Sequence, residues 1–251
     1  MTETPRQRIT IAGVDVDNLS QDEAIAAVDR LVGGGCCCYL AVVNAAKVVA
    51  AQRDSRLRDA LLAADIVTAD GMSVVWASRL LGRPLKDRVT GIDLFARLVG
   101  HAADRGWSVY FLGARDDSVA GVAGRFEQKY PGLNVAGYRN GYFSTAESAA
   151  VADKIRASGT DLLFVAMGSP EQEFWIAENL SRTGARFAMG VGGSFDHLSG
   201  RARRAPEWMQ RAGLEWLYRL LREPRRMWRR YLIGNSVFVW LVAKQRLRPG
   251  R

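Results

Sequence analysis

The chain has 251 residues, 48% of them hydrophobic, 24% charged and 9% aromatic. Such a chain can bury a substantial core, and its composition excludes disorder, collagen-like repeats and a small disulfide scaffold. The formal charge of +9 is local: residues 201–251 hold 14 basic and three acidic side chains, whereas residues 1–200 hold 21 and 23, so the basicity belongs to the tail.

In chain order, the opening MTETPRQRIT carries no apolar core of a signal peptide, and none is expected. A strand at Ile9–Ala12 is followed by Asp15-Val16-Asp17 in a turn region. Ser20 is placed to cap a helix in which Ala24, Ile25, Val28 and Leu31 recur at helical spacing, and Gly33-Gly34-Gly35 stops it. Cys36, Cys37 and Cys38 are adjacent, a spacing unsuited to a disulfide or a metal site. They read as small apolar residues entering the buried strand Cys38–Val43, reduced as in a cytosolic compartment. Helices at Ala45–Arg53 and Ser55–Ala63 precede a short strand, Asp65–Thr68, that runs into Ala69-Asp70-Gly71. Then follow helices Met72–Leu81 and Ile92–Asp104, strand Ser108–Leu112, helix Ser118–Lys129 and strand Val135–Tyr138. Helix Ala146–Ala157, strand Asp161–Met167, helix Pro170–Ser181 and strand Phe187–Val191 complete the alternation. Strands apolar on both faces and separated by helices imply a Rossmann-like α/β core, its parallel sheet covered on both sides. Ligands of such folds bind beyond the carboxyl ends of the strands.

Past Gly200 the character changes. Pro206–Arg222 reads as one amphipathic helix with Met209, Trp216, Leu217 and Leu220 on its apolar face, interrupted at Pro224. Four of the seven tryptophans lie beyond residue 200, interleaved with arginines, which favours an anionic membrane surface over nucleic acid or a solvated, partly structural helix pair. The longest apolar run, Tyr231–Ala243, is 13 residues and contains Gly234, Asn235 and Ser236, too short and polar to span a bilayer. The expected division is a catalytic core, 1–200, and a basic amphipathic helical appendage, 201–251, that associates with membrane.

Several strand ends carry groups capable of chemistry. Asp70 ends a buried strand before a glycine, where a carboxylate serves as a general base or merely caps the next helix. Gly168-Ser169-Pro170-Glu171-Gln172-Glu173 opens a helix; Gln172 can hydrogen-bond a sugar or phosphate, while the two acids suit the helix dipole. Gly190-Val191-Gly192-Gly193-Ser194-Phe195-Asp196 is a generic phosphate loop, without the spacing of a dinucleotide or Walker loop. Asp15-Val16-Asp17 matches a metal-holding DxD pattern, though so short a pattern arises readily by chance. His101 and His197, the only histidines, read as solvated or core residues.

Taken together these segments resemble the WecG/TagA/CpsF family of bacterial glycosyltransferases. The resemblance rests on Val42-Val43-Asn44-Ala45, Ala64–Met72, Arg88-Val89-Thr90-Gly91-Ile92-Asp93, the two glycine-led segments above, and Arg204-Ala205-Pro206-Glu207-Trp208 through Tyr231. It implies inverting, metal-independent transfer of a sugar of ManNAc, ManNAcA or glucose type. The donor is a UDP-sugar, the acceptor an undecaprenyl-diphosphate-linked sugar at the inner face of the cytoplasmic membrane, in cell-surface polysaccharide assembly. By matching position, Asp70 is the base, Asn44 and Gln172 hold substrates, and Arg88 meets the departing diphosphate. Tyr142 and Asp196, with Gly168, Gly192 and Gly193, fall at nucleotide-binding positions; Arg219, Arg226 and Arg229 fall where appendage arginines complete the site. The usual Thr two residues before the Asn is here Val42. No cofactor or metal is implied, nor any nucleic-acid partner, and a homo-oligomer in solution covering the apolar tail is expected. The alternative is a catalytically inactive nucleotide-binding membrane adaptor of the same fold.

Overall fold

The computed structural model describes residues 7–35, 37–228 and 233–247. The chain opens with an antiparallel hairpin, β1 (Arg8–Ile11) and β2 (Val14–Asp17). Ala12 at φ +47° and Gly13 at +79° make its two-residue turn, both in the left-handed region that a tight hairpin of primed type requires. The DxD pattern therefore lies in a strand. Asp15 accepts a 2.6 Å hydrogen bond from the Thr10 hydroxyl across the hairpin. Asp17 is buried, accepting from Arg8 Nε at 3.1 Å and from the Val67 amide at 2.8 Å. Both aspartates hold the hairpin together and onto the main sheet.

Helix α1 (Gln21–Gly33) starts at Ser20 with a full capping box, Glu23 returning a bond to the Ser20 amide. Then come β3 (Cys38–Val43), α2 (Ala45–Ala51), α3 (Ser55–Leu62), β4 (Ile66–Ala69), α4 (Met72–Leu80) and α5 (Gly91–Arg105). Next are β5 (Ser108–Gly113), α6 (Asp116–Lys129), β6 (Asn134–Arg139), α7 (Ser148–Ala157), β7 (Leu162–Ala166), α8 (Glu171–Thr183), β8 (Phe187–Gly190) and α9 (Ser194–Leu198). Of the adjacent cysteines, Cys38 is buried in β3, whereas Cys37 is exposed before it.

Strands β3 to β8 form one six-stranded parallel sheet in the order β4-β3-β8-β7-β5-β6. Alternation along the strands sorts the core into two layers. Tyr39, Ala41 and Val43 of β3, with Leu163 and Val165 of β7, face one layer, packed by α2, α3, α7 and α8. Leu40 and Val42, with Leu162 and Phe164, face the other, packed by α1, α5 and α6. In this second layer Phe95, Phe111, Phe126, Phe164 and Phe195 form an aromatic cluster, Phe95 lying 4.6 Å from Phe164 between ring centroids. Phe195 plugs α9 into that cluster and so fixes the loop after β8.

The tail departs from its sequence reading. The single helix expected over 206–222 is two, α10 (Glu207–Arg211) and α11 (Glu215–Arg222), parted by Gly213 at φ +72°. Pro224 does interrupt the helix, α11 ending at Arg222, and itself starts α12 (Pro224–Trp228), as suits a residue lacking an amide hydrogen. The last helix, α13 (Gly234–Leu247), returns to the core and packs against α2 and α4, burying Phe238 and Val242 in the first layer. Gln245 locks it there, accepting from the Ala12 amide at 2.7 Å and donating to Thr10 O at 2.8 Å. No described helix is long and apolar enough to cross a membrane.

Candidate active site

The carboxyl ends of β4 and β3 bring three expected residues to one place. Asp70 follows β4 directly, its amide donating to Val43 O at 2.9 Å, so the parallel ladder itself sets its position. Asn44 caps α2, its Oδ1 accepting from the Lys47 amide at 3.1 Å. A Cβ on Gly71 would lie 3.5 Å from Asn44 Cβ, so the turn carrying Asp70 rests against Asn44. Arg88 joins them because the next residue, Val89, donates to Ala69 O at 2.9 Å, stitching residues 88–89 beside β4. Val42, at the usual Thr position, packs against Gly91, where a Cβ would meet its methyl groups at 3.4–3.6 Å. It offers no hydroxyl to a ligand.

At the ends of β7 and β8 the geometry differs from the sequence picture. Gln172 is 3% exposed and engaged at both ends of its amide. Its Oε1 accepts from the Gly192 amide at 2.9 Å, and its Nε2 donates to Glu173 Oε1 at 2.8 Å. Its own backbone amide donates to Gly168 O at 2.9 Å. A Cβ on Gly190 would sit 2.5 Å from Gln172 Nε2, and Gly192 has φ +54°, so two of the loop's glycines are explained by this packing and turn. Gly193, the N-cap of α9, is exposed at the tip. Glu173, in the sequence a first-turn acid for the helix dipole, is 1% exposed and pairs at 2.8 Å with Lys47, itself 7% exposed. Lys47 also donates to Val42 O at 2.6 Å. Burial, and then the Glu173 carboxylate, push the Tyr39 phenol well above its ordinary range. Sequence reasoning missed Lys47, whose one signal is a lysine set among Ala45, Val48 and Val49.

Around the ends of β5 and β6 the chain is stitched tightly. Gly113 at φ +124° lies where a Cβ would be 2.5 Å from Ala166 backbone. The Ala114 amide donates to Ala166 O at 2.8 Å and the Gly141 amide to Ala114 O at 3.0 Å. Tyr142, 70% exposed, is held by its amide to Asn140 Oδ1 at 2.9 Å, and Asn140 is bonded to Asp116 at 2.6 Å. Asp196 accepts from the Ser118 hydroxyl at 2.6 Å. Both expected nucleotide residues are thus tied to the first turn of α6. Along the sheet edge Asp70, Asn44 and Arg88 stand at one end, the glycine loop in the middle and Tyr142 with Asp196 at the other. The histidines have structural partners, His101 at 2.7 Å from Asp29 and His197 at 3.2 Å from Ala202 O.

The tail closes over the Asp70 end. A Cβ on Gly213 would be 2.6 Å from Met72 Cγ, so the break between α10 and α11 sits on the α4 terminus beside Asp70. Arg88 Nη1 pairs with Glu215 at 3.2 Å and Nη2 donates to Gln210 O at 3.3 Å. Arg204 pairs with Glu215 at 3.3 Å and grips Asp93 with both terminal nitrogens, at 2.6 and 2.9 Å. Burial acts to raise the Asp93 carboxyl. The hydrogen bonds from Arg204 and Thr90 and the charges of Arg204 and Arg88 outweigh it, holding Asp93 below the usual carboxylate range. A shallow hollow beside this network is lined by His197, Arg203, Arg204, Glu215 and Tyr218. Arg219 on α11 and Arg226 on α12 are described by backbone alone, and Arg229 lies outside the described residues. Among the described residues no group of three His, Cys, Asp or Glu side chains gathers that could hold a metal ion.

Comparison with known proteins shows what the whole chain is similar to. An N-acetylglucosaminyldiphosphoundecaprenol N-acetyl-beta-D-mannosaminyltransferase of Bacillus spizizenii is 42% identical over 182 residues, 72% of this chain and 70% of that one. A protein of the same description from Bacillus subtilis is 36% identical over 205 residues, 82% of this chain and 77% of that one. The model of the glycosyl transferase WecG/TagA/CpsF family matches residues 9–251, from the hairpin through the tail, and the chain belongs to that family.

Proposed function

We propose that this glycosyltransferase moves an N-acetylmannosamine-type sugar from a UDP-sugar to an N-acetylglucosaminyl-diphosphoundecaprenol acceptor, with inversion and without a metal ion. The observation that carries the reading is the convergence of Asp70, Asn44 and Arg88 at the ends of β3 and β4. The names of the two Bacillus relatives supply the sugar and the lipid-linked acceptor. The donor lies along the sheet edge, its base toward Tyr142 and Asp196 and its sugar toward Asp70. Four strand spacings separate β4 from β5, about 19 Å at ~4.8 Å each, room for nucleoside, diphosphate and sugar in line. The acceptor hydroxyl oxygen attacks the anomeric carbon as Asp70 takes its proton. The bond to the β-phosphate oxygen breaks and its electron pair leaves on UDP, whose charge Arg88 meets. Arg219, Arg226 and Arg229 add positive charge from the tail. For Arg88 to face the diphosphate, its bond to Glu215 must open or be shared.

The enzyme works bound to the inner face of the cytoplasmic membrane. The exposed Trp208, Trp216, Leu221 and Trp228 of the tail and Trp240 of α13, set among arginines, support that placement. In solution, self-association covers these side chains. The test mixes UDP-N-acetylmannosamine with a short-chain polyprenyl-diphospho-N-acetylglucosamine and measures UDP release with and without chelator. Release unaffected by chelator is expected. Release lost with chelator and restored by manganese overturns the metal-free mechanism. No release from this donor, UDP-N-acetylmannosaminuronic acid or UDP-glucose leaves a nucleotide-binding adaptor instead.

A further inference from the structure

The buried pair Lys47–Glu173 has no part in the chemistry just described, yet it lies directly under it. Replacing a buried ion pair with apolar residues of similar volume is often neutral or stabilising, so stability is a poor reason for its presence. Its connections suggest a better one. Lys47 Nζ is bonded to Val42 O, at the end of β3, and to Glu173 Oε1. The same Glu173 oxygen accepts from Gln172 Nε2, and Gln172 Oε1 accepts from the Gly192 amide. Through its backbone amide Gln172 is also bonded to Gly168 O. One continuous chain therefore ties the ends of β3, β7 and β8.

We infer that Lys47 and Glu173 are positioning residues that clamp the Gln172 amide in one orientation, and through it the Gly192 loop against which the donor diphosphate is bound. The orientation has a single solution. Flipping the amide would set its NH2 against the Gly192 N–H, donor to donor, and its oxygen against the Glu173 carboxylate, acceptor to acceptor. Translation is blocked as well, because the amide lies on Gly190 where even a Cβ would overlap it at 2.5 Å. Lys47 holds the other end by placing Glu173 between an ammonium and the Gln172 amide. The inference rests on the donor-binding reading above. If that reading is right, loosening the clamp misplaces the donor by a fraction of a bond length to an ångström, a displacement to which transfer rates are steeply sensitive.

The test compares wild type with Lys47→Met/Glu173→Met, which removes both charges and keeps apolar volume. Amide hydrogen exchange over residues 192–194 is expected to accelerate in the double variant while the strand amides stay protected. With UDP-N-acetylmannosamine and the short-chain acceptor, kcat should fall about 10–100-fold at an undiminished melting temperature. In a double-mutant cycle with Gln172→Ala the two losses should overlap rather than multiply. Lys47→Met/Glu173→Gln, whose amide oxygen still accepts from Gln172, should recover part of the rate. Unchanged exchange, wild-type turnover, multiplicative losses or no recovery overturns the clamp. Should the double variant not fold, the wild-type Gly192 amide decides: protection supports the clamp and free exchange sinks it. A wild-type enzyme inert toward every donor offered would defeat the donor-binding reading, and loop exchange would still judge the clamp.

Discussion

Asp70 illustrates how far a single residue is readable. A carboxylate at the end of an apolar run, followed by glycine, announces a strand-end acid, and β4 does end one residue before it. Replacement by Asn should lower kcat by about 10²–10⁴ if it is the general base, with UDP affinity, measured by calorimetry, unchanged. Wild-type turnover would remove Asp70 from the mechanism. Gln172 and Glu173 were legible only as a pair at a helix start. Nothing in their spacing says that one is a strut between two loops and the other a buried ion-pair partner. That depends on β3 lying beside β8, which puts Lys47 under α8 although 126 residues separate Lys47 from Glu173.

At the scale of elements, the parallel strands other than the edge strand β6, and their helices, followed the apolar periodicity, because burial on both faces of a strand leaves a plain sequence mark. The hairpin strand β2 did not, since its two aspartates look like a turn or a metal motif until Asp17 is seen accepting from Arg8 and Val67. The helix read across 206–222 breaks at Gly213, whose φ of +72° lies in the left-handed region, and Met72 occupies the space a Cβ there would need. Gly213→Val should therefore cost about 1–3 kcal/mol in backbone strain and lift α10 and α11 from the core. Faster proteolysis between residues 200 and 224, with an intact core fragment, is the expected readout. The Asp93–Arg204 anchor gives a pH dependence of determinate sign. The Asp93 carboxyl is lowered in the folded state, so its contribution is complete above the unfolded value near ~3.9 and disappears as pH falls through the lowered folded value. Trp208 and Trp216 fluorescence should report tail release below about pH 4, and Asp93→Asn should abolish that acid dependence. The pair is partly exposed, so the effect should also weaken with salt.

Over the whole molecule, the last helix of the tail has two physically different sides. Helix α13 is docked, with Phe238 and Val242 in the same core layer as α2. Phe238→Ala should cost about 3–5 kcal/mol, seen as a lower urea midpoint. Trp240, on the outer side of the same helix, is exposed, and Trp240→Ala should leave stability within about 0.5 kcal/mol. It should nevertheless reduce flotation with anionic phosphatidylglycerol vesicles, and unaltered flotation would exclude α13 from the membrane-contacting surface.

Local composition and periodicity determined the α/β class, the places where strands end and the acid, arginine and glycines found there, because helix and strand periods and turn residues act over a few neighbours. Tertiary structure alone decided which strand ends are adjacent, that Gln172 holds two loops rather than standing open to solvent, that Arg88 is met by Glu215, and that α13 belongs to the core. Those outcomes follow from strand order and from contacts between residues far apart in the chain, 20 positions for Gln172 and Gly192 and 127 for Arg88 and Glu215, which no local pattern encodes.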